Sequence, residues 1–386
     1  MKKCIVCGGD FFKEPLLAYR NMPASAQDIP SKEEIPKEKG MDLKLCQCRN
    51  CGLVQLDCEP VDYYKDVIRS GGYTTTMKDL RERQYEEFIE RFHLKGKRIL
   101  EVGAGQGEFL AFLEKFEVQA YGVEHSETLA LKAQEKGIDV TQGFVGDAAS
   151  VVPGAPFDAF LSFNFLEHQP DPNGMLRGIY NNLTGDGAGL VTVPSFEYIL
   201  ENESFYEFIR DHLAYYTEES LRFLLNKNGF AVLECSRINR DTLSATVQKR
   251  RPAEVQPLRD NFDRLKQEVN EYVDSQRKRG RKVALWGAGH QGFTLLSVAE
   301  LAGKIEYIID SAPFKQGKYS PATHIPIVSP EYYFSHKAEA IIVAAPGYSE
   351  EILEIIRQSY GPDVETAVLR TSRLELCSGK TRGEKA

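Results

Sequence analysis

The sequence predicts an α/β protein with a doubly wound, mainly parallel sheet. A small cysteine-rich segment precedes the residues of this sheet in the chain, and a second α/β unit follows them. Three observations support this prediction. Short apolar strands alternate with helical spacing from residue 98 onward, two of these strands run into glycine-rich turns, and six of the eight cysteines lie within residues 4–58. Alternating strands and helices are typical of parallel sheets covered by helices.

The chain is long enough for several domains, since its 386 residues exceed one ordinary core. Its composition, 42% hydrophobic and 27% charged, is typical of globular proteins. The formal net charge of −8 argues against a general affinity for nucleic acid or anionic membranes. Neither a signal-peptide core nor an apolar run of membrane-spanning length is present. We therefore expect a cytoplasmic protein with reduced cysteines, acting on small molecules rather than on nucleic acid or membranes.

Two C-x-x-C-G knuckles, residues 4–8 and 48–52, stand at opposite ends of the cysteine-rich segment. Their glycines let the backbone turn, so two thiolates of each knuckle can bind one metal ion. Four thiolates around a tetrahedral zinc ion leave no position for water, which is the chemistry of a structural site. The predicted zinc ligands are Cys4, Cys7, Cys48 and Cys51. Cys46 is an alternative to Cys48, and the metal would supply much of the folding free energy of this short segment.

The first glycine-rich turn follows a predicted buried strand over residues 99–102 and precedes a predicted helix over residues 108–116. Gly103, Gly105 and Gly107 lie in this turn. A strand, a glycine turn and a helix N-terminus together can hold a nucleotide-like cofactor. Glu101, inside the strand, adds a carboxylate that needs a partner when it is buried.

An acidic residue, Glu124, ends the next predicted strand, residues 118–124. A carboxylate about twenty residues beyond such glycines can accept hydrogen bonds from both ribose hydroxyls of an adenosine. The pattern then continues with a helix over residues 126–136 and strands near residues 140–144, 157–163, 189–194, 231–235 and 245–248. These elements complete the doubly wound sheet.

The last third of the chain repeats the pattern. Residues 254–279 have apolar positions at three- and four-residue steps, which predicts a helix that packs on a neighbouring domain or forms a coiled coil. A strand over residues 282–286 then enters the G-x-G-x-x-G turn Gly287–Gly292, and a strand over residues 305–310 ends in Asp310. A dinucleotide site, and with it an NAD-dependent oxidoreductase, is therefore one hypothesis.

Four motifs together resemble the three-domain C-methyltransferases that act on nucleotide-linked deoxysugars. They are the two cysteine knuckles, Glu101–Gly107, Asp211–Tyr216, and the C-terminal stretch from Gly287 through Pro330. The resemblance implies a zinc-binding domain (1–60), a class I methyltransferase Rossmann-like domain that binds S-adenosylmethionine (61–250), a linker helix (251–282) and a cofactor-free Rossmann-like domain on the acceptor side (283–386).

The resemblance also implies roles for single residues. The residues expected to bind S-adenosylmethionine are Glu101, Gly103, Gly105 and Gly107 near its methionine end, Glu124 at the ribose, and Asn164 at the mouth of the site. The expected catalytic residues are His212 as the general base, Asp211 before it, His168, and the lid tyrosine Tyr73. The stretch around Tyr73 is either a lid or a plain linker.

The implied reaction makes chemical sense. A carbon beside a ketone becomes nucleophilic once a base removes its proton, and a histidine suits that step. The enolate oxygen then needs a donor, for which His168 and Tyr73 are candidates. Ile209 and Arg210 stand where the family has a tyrosine and a histidine, so methylation of oxygen or nitrogen on another small molecule stays an alternative, and a non-catalytic binding protein is a further one.

Overall fold

The computed structural model describes residues 2–66 and 75–377. These residues form two compact units, Met1–Pro252 and Ala253–Ala386. Within the described residues, no helix is both long and apolar enough to cross a membrane. The finer division into four segments stays a prediction.

The first unit is built from three layers. Its strands are β1 (Leu17–Met22), β2 (Met41–Gln47), β3 (Val54–Leu56), β4 (Arg98–Val102), β5 (Gln119–Glu124), β6 (Val140–Gln142), β7 (Phe157–Phe163), β8 (Leu183–Pro194), β9 (Ala214–Tyr215), β10 (Phe230–Arg237) and β11 (Thr242–Lys249). Its helices are α1 (Thr75–Phe92), α2 (Leu110–Leu113), α3 (Glu127–Glu135), α4 (Pro172–Asn181), α5 (Phe196–Glu201) and α6 (Glu218–Lys227).

The central sheet has the strand order β6-β5-β4-β7-β8-β11-β10. The strands from β6 to β8 are parallel, and β11 runs antiparallel to both of its neighbours. Apolar residues of α1, α2 and α3 pack on one face, and those of α4 and α6 pack on the other. The predicted doubly wound, mainly parallel sheet is therefore confirmed. Its order reverses between β4 and β7, and ligands bind outside the carboxyl ends of the strands at such a switch point.

A smaller antiparallel sheet holds the cysteine-rich segment. Its order is β1-β2-β3-β9, in which Val54 of β3 pairs with Tyr215 of β9. The last strand thus comes from the middle of the chain, directly after the predicted general base. The apolar core around Cys4 and Cys48 is continuous with the core beneath the central sheet, so this segment packs as part of the first unit.

The second unit has its own, mainly parallel sheet. Its strands are β12 (Val283–Trp286), β13 (Ile308–Ile309), β14 (Ile327–Val328), β15 (Ala340–Val343), β16 (Glu365–Leu369) and β17 (Leu374–Cys377), and its helices are α7 (Gln256–Lys278), α8 (His290–Val298) and α9 (Ser349–Ile355). The order is β14-β13-β12-β15-β16-β17, with β17 antiparallel to β16. This is the order of the dinucleotide-binding fold.

The predicted helix over residues 254–279 is confirmed as α7, and its two halves differ. Val269 and Val273 in the second half are fully buried in the core of the second unit. Leu258 and Phe262 in the first half are exposed. Helix α7 therefore packs on the sheet that follows it in the chain.

Two predicted elements are shorter in the structure. The helix expected over residues 108–116 is one turn of α-helix, α2, followed by a 3₁₀ turn over Glu114–Phe116 that ends where Glu117 adopts a left-handed φ of 56°. The strand expected over residues 305–310 pairs only at Ile308 and Ile309, with two residues of β12 on one side and the two residues of β14 on the other.

Candidate active site

A cavity of about 490 Å³ lies at the carboxyl ends of β4, β5 and β7. It is lined by residues of the glycine turn, the strand ends and the loop before β9, among them Gly103, Gly105, Glu124, Asn164, His168, Asp211 and His212. The topology therefore brings together most of the residues that the sequence selected, from segments more than a hundred residues apart in the chain.

The three glycines of the first turn have different surroundings. All three have a left-handed φ, at 77°, 58° and 74° for Gly103, Gly105 and Gly107. Gly103 and Gly105 line the cavity, whereas a Cβ on Gly107 would lie 2.8 Å from the Ile138 side chain. Gly103 and Gly105 thus leave space for a ligand against the backbone, and Gly107 lets the turn pack tightly.

Glu124 joins the end of β5 to the glycine turn. Its Oε2 accepts a hydrogen bond from the Gly105 amide at 2.8 Å, and its Oε1 accepts one from the Ser126 amide at 2.9 Å. The residue is 6% exposed and lines the cavity. A carboxylate has further lone pairs beyond these two bonds. Glu124 can therefore also accept hydrogen bonds from ribose hydroxyls.

Glu101 and Asn164 lie on neighbouring strands but differ in access to the cavity. Glu101 is fully buried within β4 and is not among the cavity-lining residues of the described chain. Asn164, directly after β7, lines the cavity with a left-handed φ of 47°, and its Oδ1 accepts a hydrogen bond from the Thr192 hydroxyl at 3.0 Å. The structure thus places Asn164 at the site, whereas the predicted contact of Glu101 with the cofactor stays a prediction.

His168 and His212 meet at one end of the cavity. Their ring centroids are 4.7 Å apart in an edge-to-face arrangement. His168 lies in a short 3₁₀ turn after β7, and His212 lies just before β9. The Leu213 amide donates to the Glu167 carbonyl at 2.9 Å and so ties the two loops together.

Both histidines are held in the neutral form. Burial, with a smaller contribution from His168, lowers the pKa of His212 to about 3. Burial also lowers the pKa of His168, although the Asp211 carbonyl and the Asp211 charge act in the opposite direction. At neutral pH each imidazole therefore has an unprotonated nitrogen, although the same burial makes that nitrogen a weaker base.

The tautomer of His168 follows from its hydrogen bond. Its Nδ1 lies 2.6 Å from the carbonyl oxygen of Asp211. A carbonyl can only accept, so Nδ1 carries the proton and Nε2 has the lone pair. Nε2 lies 3.9 Å from Oε1 of Glu167. Neutral His168 is therefore an acceptor at Nε2, and the predicted donation to an enolate oxygen requires its imidazolium form.

The Asp211 carboxylate points toward the N-terminal segment. Its Oδ1 accepts from the Tyr63 hydroxyl at 2.6 Å, and its Oδ2 accepts from the Ala26 amide at 3.0 Å. Ala26 and Gln27 line the cavity. Sequence reasoning missed all three of these N-terminal residues, and no local motif marks them. The predicted lid residue Tyr73 lies outside the described residues.

Three cationic residues line the cavity: Lys78 and Arg81 lie on helix α1, and Lys65 precedes it. The Arg81 guanidinium lies 3.5 Å from the ring centroid of Phe163 and is buried. Cation–π contact of this kind is strongest when the cation is desolvated. The sequence indicated a charged helix here but not that one of its faces lines the site.

The four cysteines of the two knuckles form a cluster. Their sulfur atoms all lie within 4.8 Å of one another, with Cys4 to Cys51 at 3.5 Å and Cys7 to Cys48 at 3.4 Å. Zn–S bonds of about 2.3 Å in a tetrahedron give S···S distances of about 3.8 Å. The donor set therefore fits zinc. Cys46 is not a member of this cluster, so the geometry favours Cys48.

Backbone amides and glycines shape this cluster. The amides of Gly9 and Asn50 donate to the sulfur atoms of Cys7 and Cys48 at 3.3 and 3.4 Å. Gly8 and Gly52, which follow the second cysteine of each knuckle, both have a φ of 73°. Amide donors stabilise thiolates, and the positive φ values explain why glycine occupies both positions.

The second glycine turn, in the other unit, has its acidic residue already paired. Asp310 accepts hydrogen bonds from the Ala288 amide, the Ala312 amide and Nζ of Lys315, each at 2.9 Å. A Cβ on Gly292 would lie 2.3 Å from the carbonyl oxygen of Gly287. These contacts hold the turn in its conformation. The lysine also neutralises the carboxylate that would otherwise accept hydrogen bonds from a ribose.

Comparison with known proteins identifies the class. Residues 77–235 match the model of a methyltransferase domain, and residues 236–363 match the model of a C-methyltransferase C-terminal domain. The chain is therefore an S-adenosylmethionine-dependent methyltransferase. It belongs, more narrowly, to the C-methyltransferases that join these two domains, as the resemblance predicted.

The chain is similar to several individual proteins. C-methyltransferase NovU from Streptomyces niveus is 24% identical over 387 residues, covering 91% of each chain. A ubiquinone biosynthesis O-methyltransferase from Pseudomonas entomophila is 28% identical over 156 residues, which cover 35% of this chain and 67% of the relative. A solved S-adenosylmethionine-dependent methyltransferase from Clostridium acetobutylicum is 14% identical, with a TM-score of 0.38, covering 48% of this chain and 95% of its own.

Proposed function

We propose that this protein transfers a methyl group from S-adenosylmethionine to a carbon next to the ketone of a nucleotide-linked deoxysugar. The observation that carries the proposal is the pair of neutral histidines, His168 and His212, at one end of the cavity that begins at the glycine turn. Family membership supports carbon as the methylated atom. The nucleotide-sugar rests on the motif resemblance described above.

The cofactor would be held by residues whose geometry fits it. Gly103 and Gly105, which line the cavity, would lie against its methionine part, Glu124 would accept from the ribose, and Asn164 would border the reacting end. When bound, the cofactor supplies an electrophilic sulfonium methyl group. Lys65, Lys78 and Arg81 offer positive charge to a carboxylate or to the diphosphate of the acceptor.

The base we propose is His212. The C–H bond beside the ketone breaks, the proton moves to the neutral imidazole, and the electron pair remains on the acceptor as an enolate. Burial keeps the His212 imidazole unprotonated at neutral pH, and the negative charge that develops on the acceptor would raise its basicity as the proton moves. A newly formed imidazolium beside an enolate is stabilised by the opposite charge, more strongly in a cavity that excludes water than in solution.

The remaining catalysis is positioning. When the cofactor is bound, the enolate carbon, the methyl group and the sulfur would have to lie in line, so the contribution of this chain is to orient the two reactants. The loops that carry His168 and His212 are joined by the backbone hydrogen bond from Leu213 to Glu167. The bond from Nδ1 of His168 to the Asp211 carbonyl also holds the His168 ring in place. We also propose that the four-cysteine cluster binds a structural zinc ion.

Isotope exchange tests the proposal directly. The enzyme is incubated in D₂O with S-adenosylhomocysteine and a nucleoside-diphosphate keto-deoxysugar, and NMR follows the proton beside the ketone. We expect exchange at that carbon in the parent enzyme and no exchange in His212→Asn. When S-adenosylmethionine replaces S-adenosylhomocysteine, we expect a new carbon-bound methyl group. A methyl group on oxygen or nitrogen, without exchange, would establish the alternative acceptor class.

A further inference from the structure

Tyr63 and Asp211 form a hydrogen-bonded pair beside the active site. The Tyr63 hydroxyl donates to Oδ1 of Asp211 at 2.6 Å, and Asp211 is 3% exposed. Burial, and then the neighbouring carboxylate, raises the pKa of Tyr63, so the phenol keeps its proton and remains a donor. Charge-assisted O–H···O⁻ bonds of this length are among the strong hydrogen bonds in proteins.

The pair is part of a wider clamp on the N-terminal segment. The Ala26 amide donates to Oδ2 of Asp211 at 3.0 Å, and the Gln27 amide donates to the Tyr63 hydroxyl oxygen at 3.2 Å. The neighbouring Arg210 donates to three carbonyl oxygens, those of Ala24, Glu59 and Pro60, at 3.1, 3.0 and 2.8 Å. Both oxygens of the Asp211 carboxylate are therefore fixed in space.

The main chain of Asp211 contacts the histidine pair. Its main-chain carbonyl accepts the Nδ1 proton of His168 at 2.6 Å. Because the side chain and the carbonyl belong to one residue, anchoring the carboxylate restricts the orientation of the carbonyl. An imidazole without that acceptor is free to place its proton on Nε2 instead.

We propose that Tyr63 is a positioning residue for the methyl-transfer site. Its hydrogen bond to Asp211 holds the Asp211 carbonyl against Nδ1 of His168 and so fixes the tautomer in which Nε2 is the acceptor nitrogen. Asp211 acts in the same way, through His168, rather than on the acceptor molecule itself. The effect on turnover rests on the proposed function, whereas the effect on the tautomer does not.

The primary experiment measures the tautomer of His168 by NMR of protein labelled with ¹⁵N-histidine. In the parent protein we expect a Nδ1–H, unprotonated-Nε2 pattern for His168, assigned by its loss in His168→Asn. In Tyr63→Phe we expect a substantial Nε2–H population. The matched control is Tyr64→Phe, a neighbouring phenol that packs against the edge of Phe144. We expect it to preserve the parent spectrum.

Turnover provides the second measurement. Loss of one hydrogen bond to a charged group corresponds to a roughly 10- to 100-fold drop in kcat. We expect that drop in Tyr63→Phe, with an unchanged affinity for S-adenosylhomocysteine and an unchanged zinc content. A merely structural role for Tyr63 would change affinity or metal content and leave the tautomer as it is.

Two results would overturn the inference: His168 keeping the parent tautomer in Tyr63→Phe, or Tyr63→Phe behaving like Tyr64→Phe in both measurements. If Tyr63→Phe does not fold, Asp211→Asn replaces it as the test variant. Its amide nitrogen cannot accept one of the two hydrogen bonds that the carboxylate now accepts. An unaltered His168 tautomer in Asp211→Asn also overturns the proposal. If the parent enzyme methylates no keto-sugar, the proposed function fails while the tautomer result still decides the role of Tyr63.

Discussion

The ring edge of one histidine meets the ring face of the other: His168 and His212 lie 4.7 Å apart at their centroids, on loops that are distant in the chain. Two histidines at this distance cannot both carry a charge without strong repulsion. The geometry therefore defines a pair that carries at most one positive charge, at one end of the cavity.

Replacing His212 by Asn should remove the base without removing the cofactor site. We expect a loss of about 10²- to 10⁴-fold in kcat, the usual contribution of general base catalysis. Calorimetry should show unchanged binding of S-adenosylhomocysteine. The control is His93→Asn, an exposed position with a φ of 53° that asparagine tolerates well. Wild-type turnover in His212→Asn would mean that another residue is the base.

The stability of the protein should depend on pH through His212. Its pKa is about 3 in the fold and 6.5 as the reference value, so between these two values the unfolded chain binds the extra proton. The free energy of unfolding therefore decreases as the pH falls from about 6.5 toward 3, by at most about 1.4 kcal/mol per pH unit for this one group.

Urea denaturation at pH 7 and pH 5 measures this effect. We expect the difference in unfolding free energy between the two pH values to be smaller in His212→Asn than in the parent, because the variant lacks the group that titrates. An equal difference in both proteins would show that the His212 imidazole is not desolvated in the fold.

Glu124→Gln should weaken cofactor binding. The variant keeps one acceptor oxygen but loses the charge, and an amide nitrogen cannot accept from the Gly105 backbone or from a ribose. We expect roughly a 10- to 100-fold rise in the dissociation constant for S-adenosylhomocysteine. Glu127→Gln, an exposed acid one turn away, should leave the constant unchanged. Equal affinities in the two variants would rule out the ribose contact.

The cysteine cluster predicts a contrast between two neighbouring cysteines. Cys48→Ser removes a cluster member, whereas Cys46→Ser alters a buried thiol outside the cluster. We expect elemental analysis to find about one zinc per chain in the parent and in Cys46→Ser, and far less in Cys48→Ser, which should also unfold at a lower temperature. Retained zinc in Cys48→Ser together with loss in Cys46→Ser would reverse the ligand assignment.

The second glycine turn should not bind a nicotinamide dinucleotide. Its acid, Asp310, already accepts three hydrogen bonds, one of them from Lys315. Titration with NADH, followed by nicotinamide fluorescence, should therefore show no saturable binding. Saturable binding that Asp310→Ala removes would restore the oxidoreductase hypothesis.

Local patterns were enough to predict most of the elements around the first glycine turn, although the helix after it is shorter than expected. The strand before it, the turn and the acid at the end of β5 all depend on residues close in sequence. The same logic selected Asp310, which occupies the equivalent place in the second unit. Both acids accept hydrogen bonds from backbone amides, but Asp310 also forms an ion pair with Lys315, whereas Glu124 lines the cavity. These differences depend on the three-dimensional structure.

The contacts of Asp211 could not be predicted in the same way. Its partners Tyr63 and Ala26 approach it because β9 pairs with β3, a pairing between distant residues that leaves no periodic signal in either segment. Gly107 is a related case. Its positive φ was predictable from the turn, but its contact with Ile138 depends on how the helix after β5 packs.

The pairing of Val54 with Tyr215 also sets an order of events during synthesis. The cysteine-rich segment leaves the ribosome first, yet the outer strand of its sheet is made much later, after the loop that carries His212. At about 5–20 residues per second, the delay is on the order of ten seconds or more. Throughout that interval β3 presents an open edge, and early metal binding by the four cysteines would protect the nascent segment until its last strand arrives.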